Sequence, residues 1–188
     1  MATTIPAIKA DADVRMKKSL DALAHDLTKL RTGRASTALI DHLRVDYYGN
    51  NVPITQVASV TVSDARTITV TPWEKPMVAA VERAILASDL GLTPNTAGQV
   101  IRISIPPLTE QRRKELAKHV SHEGETAKVA IRNVRRDANQ AVKELLKAKL
   151  VTEDDDRRAE EEIQKLTDRF VKDVDGVVKH KEDELMQL

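Results

Sequence analysis

Residues 109–150, TEQRRKELAKHVSHEGETAKVAIRNVRRDANQAVKELLKAKL, read as one unbroken helix. Its roughly 40 residues would span about 60 Å at 1.5 Å per residue. Leu116, Val120, Ala127, Ile131, Val134, Ala138, Val142 and Leu145 recur at steps of three, four or seven, the period of a helix with one buried stripe. Lys128, Arg132, Arg135, Arg136 and Lys143 follow similar steps on another side. At about 100° per residue, their mean direction lies about 110–120° round from the apolar stripe. The segment is expected to be a core helix on one flank and a cationic rail on another.

Working outward, a chain of 188 residues suits one or two domains and can bury a real core. Charged residues make up 31% and aromatics are few, a balance that favours long helices with coiled-coil-like packing. The chain has no cysteine, which excludes disulfides, cysteine nucleophiles and thiolate metal sites and suits a reducing cytosol. No secretory signal is visible in Met1-Ala2-Thr3-Thr4-Ile5-Pro6, and no run of 18 apolar residues could span a membrane. The net charge of +1 hides a sharp asymmetry. Residues 109–151 carry 11 Lys/Arg against 6 Asp/Glu (+5), and 152–188 carry 7 against 13 (−6). One basic helix is followed by an acidic one, a better pointer to partners than the total.

The first helix is read from Ile8 to Leu30, with Met16, Leu20, Leu23, Leu27 and Leu30 as the seam of a helix packed lengthwise. It ends in Arg31-Thr32-Gly33-Arg34, where glycine supplies the freedom a helix stop needs. The period then changes to two. Strands are expected at Leu43–Tyr48, Val57–Val62, Thr67–Thr71 and Ile101–Ile105, with turns at Gly49-Asn50-Asn51 and Asn95-Thr96-Ala97-Gly98. Pro53 marks an edge or irregular strand, and Pro76 is placed to open the one substantial helix of this stretch, carrying Val78, Val81, Ala84 and Ile85. Pro106-Pro107 stops the sheet and Thr109 is a plausible N-cap for the long helix. The third long helix starts at Thr152, with Glu153 to Asp156 in the turn where the macrodipole favours negative charge. Its stripe is Ala159, Ile163, Leu166, Phe170, Val174 and Val177, and its helical character fades near the C-terminus.

None of the three long helices can be buried alone, so they are expected to form an antiparallel three-helix bundle. The fold class is α+β: an elongated, roughly L-shaped body with a small inserted β/α/β domain. Residues 1–31 and 107–188 form the bundle, and 32–106 form the insertion. Arg31, Thr32, Gly33, Arg34, Pro106 and Pro107 make a double hinge between them.

The strongest local signal is Arg132-Asn133-Val134-Arg135-Arg136-Asp137-Ala138-Asn139. Three guanidiniums share one broad face, and arginine forks match phosphate oxygens bidentately at any physiological pH. The competing reading is equally open: solvated charges, or partners for the acidic helix. A second cluster, Arg112-Arg113-Lys114, opens the same helix against the macrodipole. His119 and His122 lack the further ligands and the His-Glu-x-x-His order of a zinc site. Nothing looks catalytic, and no metal or cofactor is expected. From the residues alone the reading stops at a non-enzymatic protein with a cationic helix suited to RNA or another polyanion.

The stretches Arg31-Thr32-Gly33-Arg34-Ala35-Ser36, Tyr47-Tyr48-Gly49, Ala87-Ser88-Asp89-Leu90-Gly91-Leu92 and Pro106-Pro107-Leu108-Thr109-Glu110 closely resemble bacterial ribosome recycling factors. So do the block from Arg132 to Asn139 and Glu153-Asp154-Asp155-Asp156-Arg157-Arg158. Thr37 departs from the family, which often has proline there. The resemblance implies a cytoplasmic, monomeric factor that binds the post-termination ribosome. With elongation factor G and GTP it would split the ribosome into subunits, the GTPase belonging to the partner. It also implies that the bundle docks on large-subunit rRNA, with Arg132, Arg135 and Arg136 as the RNA-facing arginines. Lys128, Asn139, Arg112, Arg113, Lys114 and Arg31 complete the candidate rRNA-binding set. The alternative is a helical scaffold or chaperone-like adaptor holding a protein client.

Overall fold

The computed structural model describes residues 4–30 and 32–187. They divide into two compact units. One joins the chain up to residue 30 with Glu110–Gln187, and the other is Thr32–Thr109. The expectation for Arg31 lies outside the described residues.

The first unit contains three helices: α1 (Ile5–Thr28), α3 (Glu110–Lys147) and α4 (Glu153–Met186), with α2 in the other unit. Cross-helix pairs set their directions. Arg15 of α1 meets Asp137 of α3, and Lys128 and Lys143 of α3 meet Asp175 and Glu160 of α4 in descending order. Lys9 and Asp13 of α1 meet Glu162 and Arg169 of α4 in ascending order. α3 therefore runs antiparallel to both neighbours, and α1 runs parallel to α4.

Helix ends follow local chemistry. α1 begins at Ile5, three residues earlier than the periodicity predicts, because the Thr4 hydroxyl accepts from the Ala7 amide and Pro6 fits the first turn. α3 stops at Lys147, short of Leu150, without a glycine. Lys149 takes the left-handed conformation (φ 59°), and the amides of Lys149 and Leu150 return to the carbonyls of Leu146 and Leu145. α4 opens on a capping box. Asp155 N–H donates to the Thr152 hydroxyl at 3.2 Å, and Thr152 N–H donates to Asp155 Oδ2 at 3.0 Å. The Thr152 hydroxyl and amide hold the Asp155 carboxyl below its ordinary range. Contrary to expectation, α4 does not fade but continues to Met186, because Leu185 is fully buried and anchors its last turn.

The predicted stripe of α3 is buried throughout, from Leu116 to Leu145. Ala12, Met16, Leu23 and Leu27 of α1 face it, together with Ala159, Ile163, Phe170 and Val174 of α4. In α4 the core position next to Leu166 goes to Thr167, whose hydroxyl donates to the Ile163 carbonyl at 2.7 Å and so stays satisfied while 2% exposed. Gly124 also lies in the buried stripe of α3, a position that periodicity of apolar side chains passes over. A Cβ there would sit 2.5 Å from Val178 Cγ2 of α4.

The second unit holds two antiparallel sheets. β1 (Arg44–Tyr47) pairs with β2 (Asn50–Pro53), and β3 (Ala58–Asp64), β4 (Thr67–Pro72), β5 (Pro94–Ala97) and β6 (Val100–Ser104) form a sheet of order β3-β4-β6-β5. Helix α2 (Val78–Leu86) packs on β1, β4, β5 and β6. Ile40, Val45, Ile54, Ile68, Val70, Val81, Ile85, Ile101 and Ile103 make its buried core.

Two turns differ from the sequence reading. The β1–β2 turn is Tyr48-Gly49, both at positive φ (49° and 85°), so Asn50 and Asn51 already belong to a strand. Asp46 Oδ1 accepts the Gly49 amide at 2.8 Å and closes this two-residue hairpin. Asn95-Thr96-Ala97 is not a turn but most of edge strand β5, paired with β6; the turn is Gly98-Gln99. An edge strand needs only one paired side, which tolerates Pro94 at its start and weak strand formers after it. The Tyr47 and Tyr48 hydroxyls both donate to the Glu74 carboxylate, at 2.6 and 2.9 Å, and hold its pKa below the usual range.

The glycines of α3 and α4 should respond oppositely to alanine. Gly176 is exposed with nothing within 4 Å of an added Cβ, and nothing in the structure explains it. Gly176→Ala is expected to stabilise by up to about 1 kcal/mol through helix propensity. Gly124→Ala drives a methyl into the stiff, β-branched Val178 and is expected to destabilise by about 1–2 kcal/mol, relieved by Val178→Ala. Urea unfolding followed by circular dichroism measures all three.

Candidate nucleic-acid interface

Burial of Ile131, Val134, Ala138 and Val142 leaves α3 no freedom to turn about its axis. The residues between them are therefore presented in fixed directions. Arg132 and Arg136 are exposed, and Arg135 is half-buried on the flank toward α4. Arg132, Asn133, Arg135, Arg136 and Asn139 of α3, with Gln164 of α4, line an open groove of about 590 Å³ that also takes in Gln140 and Lys143. Among the described residues, no carboxylate lines it.

Among the described residues, none of the three guanidiniums has a carboxylate within 4.0 Å. Arg135 Nη1 donates instead to the neutral Gln164 Oε1 at 2.9 Å. Asp137, the one acid within the arginine block, is turned away and accepts from Arg15 of α1 at 2.9 Å. The α4 acids nearest the groove meet other partners, not the arginines. Glu162 pairs with Lys9 of α1, Glu160 lies 3.5 Å from Lys143, and Asp168 accepts from Gln164 at 2.8 Å. The competing reading of the arginines, as ion-pair partners of the acidic helix, does not describe this packing.

It does describe Lys128. Its side chain is only 15% exposed, and its ammonium lies 2.5 Å from Asp175 and 3.1 Å from Glu125. Those carboxylates, Asp175 foremost, raise its pKa. Asn139 sits half-buried at the groove, with Oδ1 buried and unpartnered. At the start of α3, Arg112 pairs with Glu115 at 3.1 Å and Lys114 with Glu110 at 2.7 Å. Arg113 is half-buried and its Nε makes no hydrogen bond. That cluster is thus partly offset by its own helix, and its clash with the macrodipole is softened. His119 lies 4.0 Å from Glu123, and the described residues contain no group of three or more side chains able to hold a metal ion.

Gln164 escaped the sequence reading. Its neighbours in the chain mark it as one polar residue of an acidic helix, and only the α3–α4 register sets it against Arg135. The expected hinge residues fall at the borders of the second unit. Thr32 is buried, Gly33 adopts φ 77°, and Arg34, Pro106 and Pro107 are exposed.

A family model described as ribosome recycling factor matches residues 23–186. The ribosome-recycling factor of Legionella pneumophila (strain Paris) is 60% identical over 184 residues, covering 98% of this chain and 100% of that one. A solution structure of the ribosome recycling factor superposes with a TM-score of 0.75 at 38% identity, with complete coverage of both chains. A model of the T. thermophilus ribosome recycling factor, described together with E. coli elongation factor G bound to the E. coli post-termination complex, gives a TM-score of 0.63 at 47% identity. It covers 97% of this chain and 98% of that one. With sequence, helices and inserted sheets all matching across nearly its whole length, the chain belongs to the ribosome recycling factor family.

Proposed function

We propose that this chain recycles ribosomes after translation termination, binding the post-termination ribosome and promoting its dissociation into subunits with elongation factor G and GTP. In this reading the GTPase is the partner's, the chain is not an enzyme, and it works in the cytoplasm. The related T. thermophilus factor, described with elongation factor G on a post-termination complex, supports the partners. Family membership gives the alternative of a protein-client scaffold nothing to stand on.

The docking surface is the groove face of α3. The observation that carries it is the arginine block, three guanidiniums within five residues left without carboxylates beside an acidic helix. A fixed row of unneutralised arginines matches the phosphates of large-subunit rRNA. Arg132, Arg135 and Arg136 are the primary contacts, with Asn139 at the groove wall. Arg112, Arg113 and Lys114 at the start of α3 add further basic contacts, and Arg31, which lies outside the described residues, completes the set. Lys128 is the least available member, since two acids already hold its ammonium. Hinge motion falls in 31–34 and 106–107, where Gly33 and the exposed prolines border the sheet unit. Motor-driven displacement of that unit is passed to the ribosome through the stiff bundle.

Sucrose-gradient sedimentation of ribosomes with the chain, elongation factor G and GTP tests the function, and failure to yield subunits would overturn it. Arg135→Ala is expected to weaken large-subunit binding by about 10–100-fold, the loss of charge-assisted contacts of roughly 1.5–3 kcal/mol, with melting unchanged. Binding at wild-type strength would remove the arginine assignment. Affinity should fall steeply with salt, log K against log salt sloping by about −2 to −3 if three phosphates are neutralised. Lys128→Ala should behave in the opposite way, lowering stability by about 1 kcal/mol while changing affinity little, as chemical denaturation and filter binding would show.

A further inference from the structure

Gln164 is a neutral residue on a helix whose charge balance is acidic. Residues 152–188 carry 13 Asp/Glu against 7 Lys/Arg, yet the side chain of α4 that touches Arg135 is an amide. Its two ends have unambiguous partners. Oε1 accepts from Arg135 Nη1 at 2.9 Å, and Nε2 donates to Asp168 Oδ1, one turn on, at 2.8 Å. A guanidinium can only donate and an ionised carboxylate can only accept, so this pair of contacts dictates which way the amide points. Asp168 thereby aims Oε1 at Arg135, and Oε1 engages one of the five N–H donors of the guanidinium. The other four stay available to a ligand in the groove that Gln164 also lines.

We propose that Gln164 is a positioning residue for RNA docking: it orients the Arg135 guanidinium at the groove while leaving its charge whole. A glutamate of the same shape would grip Arg135 as firmly but cancel the charge that phosphate must meet. A short apolar residue would keep the charge but leave a long, rotamer-rich side chain to be ordered only on binding. The Arg135–Gln164–Asp168 chain avoids both, since the carboxylate of Asp168 acts on the arginine through an intervening amide. This inference rests on the RNA-docking reading above and adds a residue from the acidic helix to it.

The test measures affinity for purified large subunits across a salt series, using full-length wild type, Gln164→Ala, Gln164→Glu, Arg135→Ala and the Gln164→Ala/Arg135→Ala double variant. Gln164→Ala should weaken binding by about two- to tenfold, the cost of ordering one free side chain, with the salt slope unchanged because no charge is altered. Gln164→Glu should flatten the salt slope by about one unit, since one fewer phosphate is effectively neutralised. The double variant should bind no more weakly than Arg135→Ala alone, because Gln164 acts only through that arginine. A merely structural role would move melting temperature and leave the slopes of both Gln164 variants equal, which would overturn the proposal. Wild-type affinity for Gln164→Ala with Arg135→Ala impaired would sink the positioning role and leave the arginine docking intact. Wild-type affinity for Arg135→Ala would sink both.

Discussion

The lengthwise burial of one face of α3 between α1 and α4 is the constraint on which the bundle depends. Val120, Ile131 and Val142 of α3, Met16 of α1 and Ile163 and Val174 of α4 are all completely buried. Each such side chain gains about 1.5–3 kcal/mol relative to exposure. A rotation of α3 by one residue would withdraw several of them and carry arginines toward the core, where an unpaired charge is far more costly. Packing thus fixes the azimuth of the helix, and the azimuth fixes where the guanidiniums point. Gly124 against Val178 tightens the same constraint at one crossing, where the two helices leave no space for a methyl.

The charges are distributed so that this packing is reinforced and the arginine face is spared. Cross-helix ion pairs lie at the seams: Lys9 with Glu162, Asp13 with Arg169, Arg15 with Asp137 and Lys128 with Asp175. Exposed pairs of this kind add little stability, but opposite charges in matching positions favour one register over its neighbours. Glu162 of α4 pairs with Lys9, Asp175 with Lys128 and Glu160 with Lys143, and α3's own Asp137 turns to Arg15. What remains is the arginine stretch of the groove, where Arg135 meets an amide on the facing helix. The +5 of one segment and the −6 of the next therefore do not simply cancel in space.

Legibility varied with how local each determinant was. The α3 stripe was visible because every member lies three, four or seven residues from the next, and each proved buried. The acidic start of α4 was visible because capping acts within four residues of Thr152. The end of α3 was misplaced because Lys149 adopts a conformation usually left to glycine. Edge strand β5 read as a turn because Asn95, Thr96 and Ala97 have weak strand preference, and only their pairing with β6 makes them a strand. The run-out expected of α4 failed because its last turn is held by Leu185, a contact supplied by packing.

By itself, the sequence determined the three amphipathic helices, the inserted α+β segment and the presence of an arginine block on a flank away from the apolar stripe. These depend on periodicity and on interactions within a turn or two, which the order of residues specifies directly. Which of the basic residues are free and which are neutralised was decided only by the tertiary structure. Lys128 and Arg135 look alike along the chain, yet one faces Asp175 and the other Gln164. The difference arises because the register between α3 and α4 comes from side-chain interlocking along more than 30 residues of each helix, a long-range fit that no local pattern encodes.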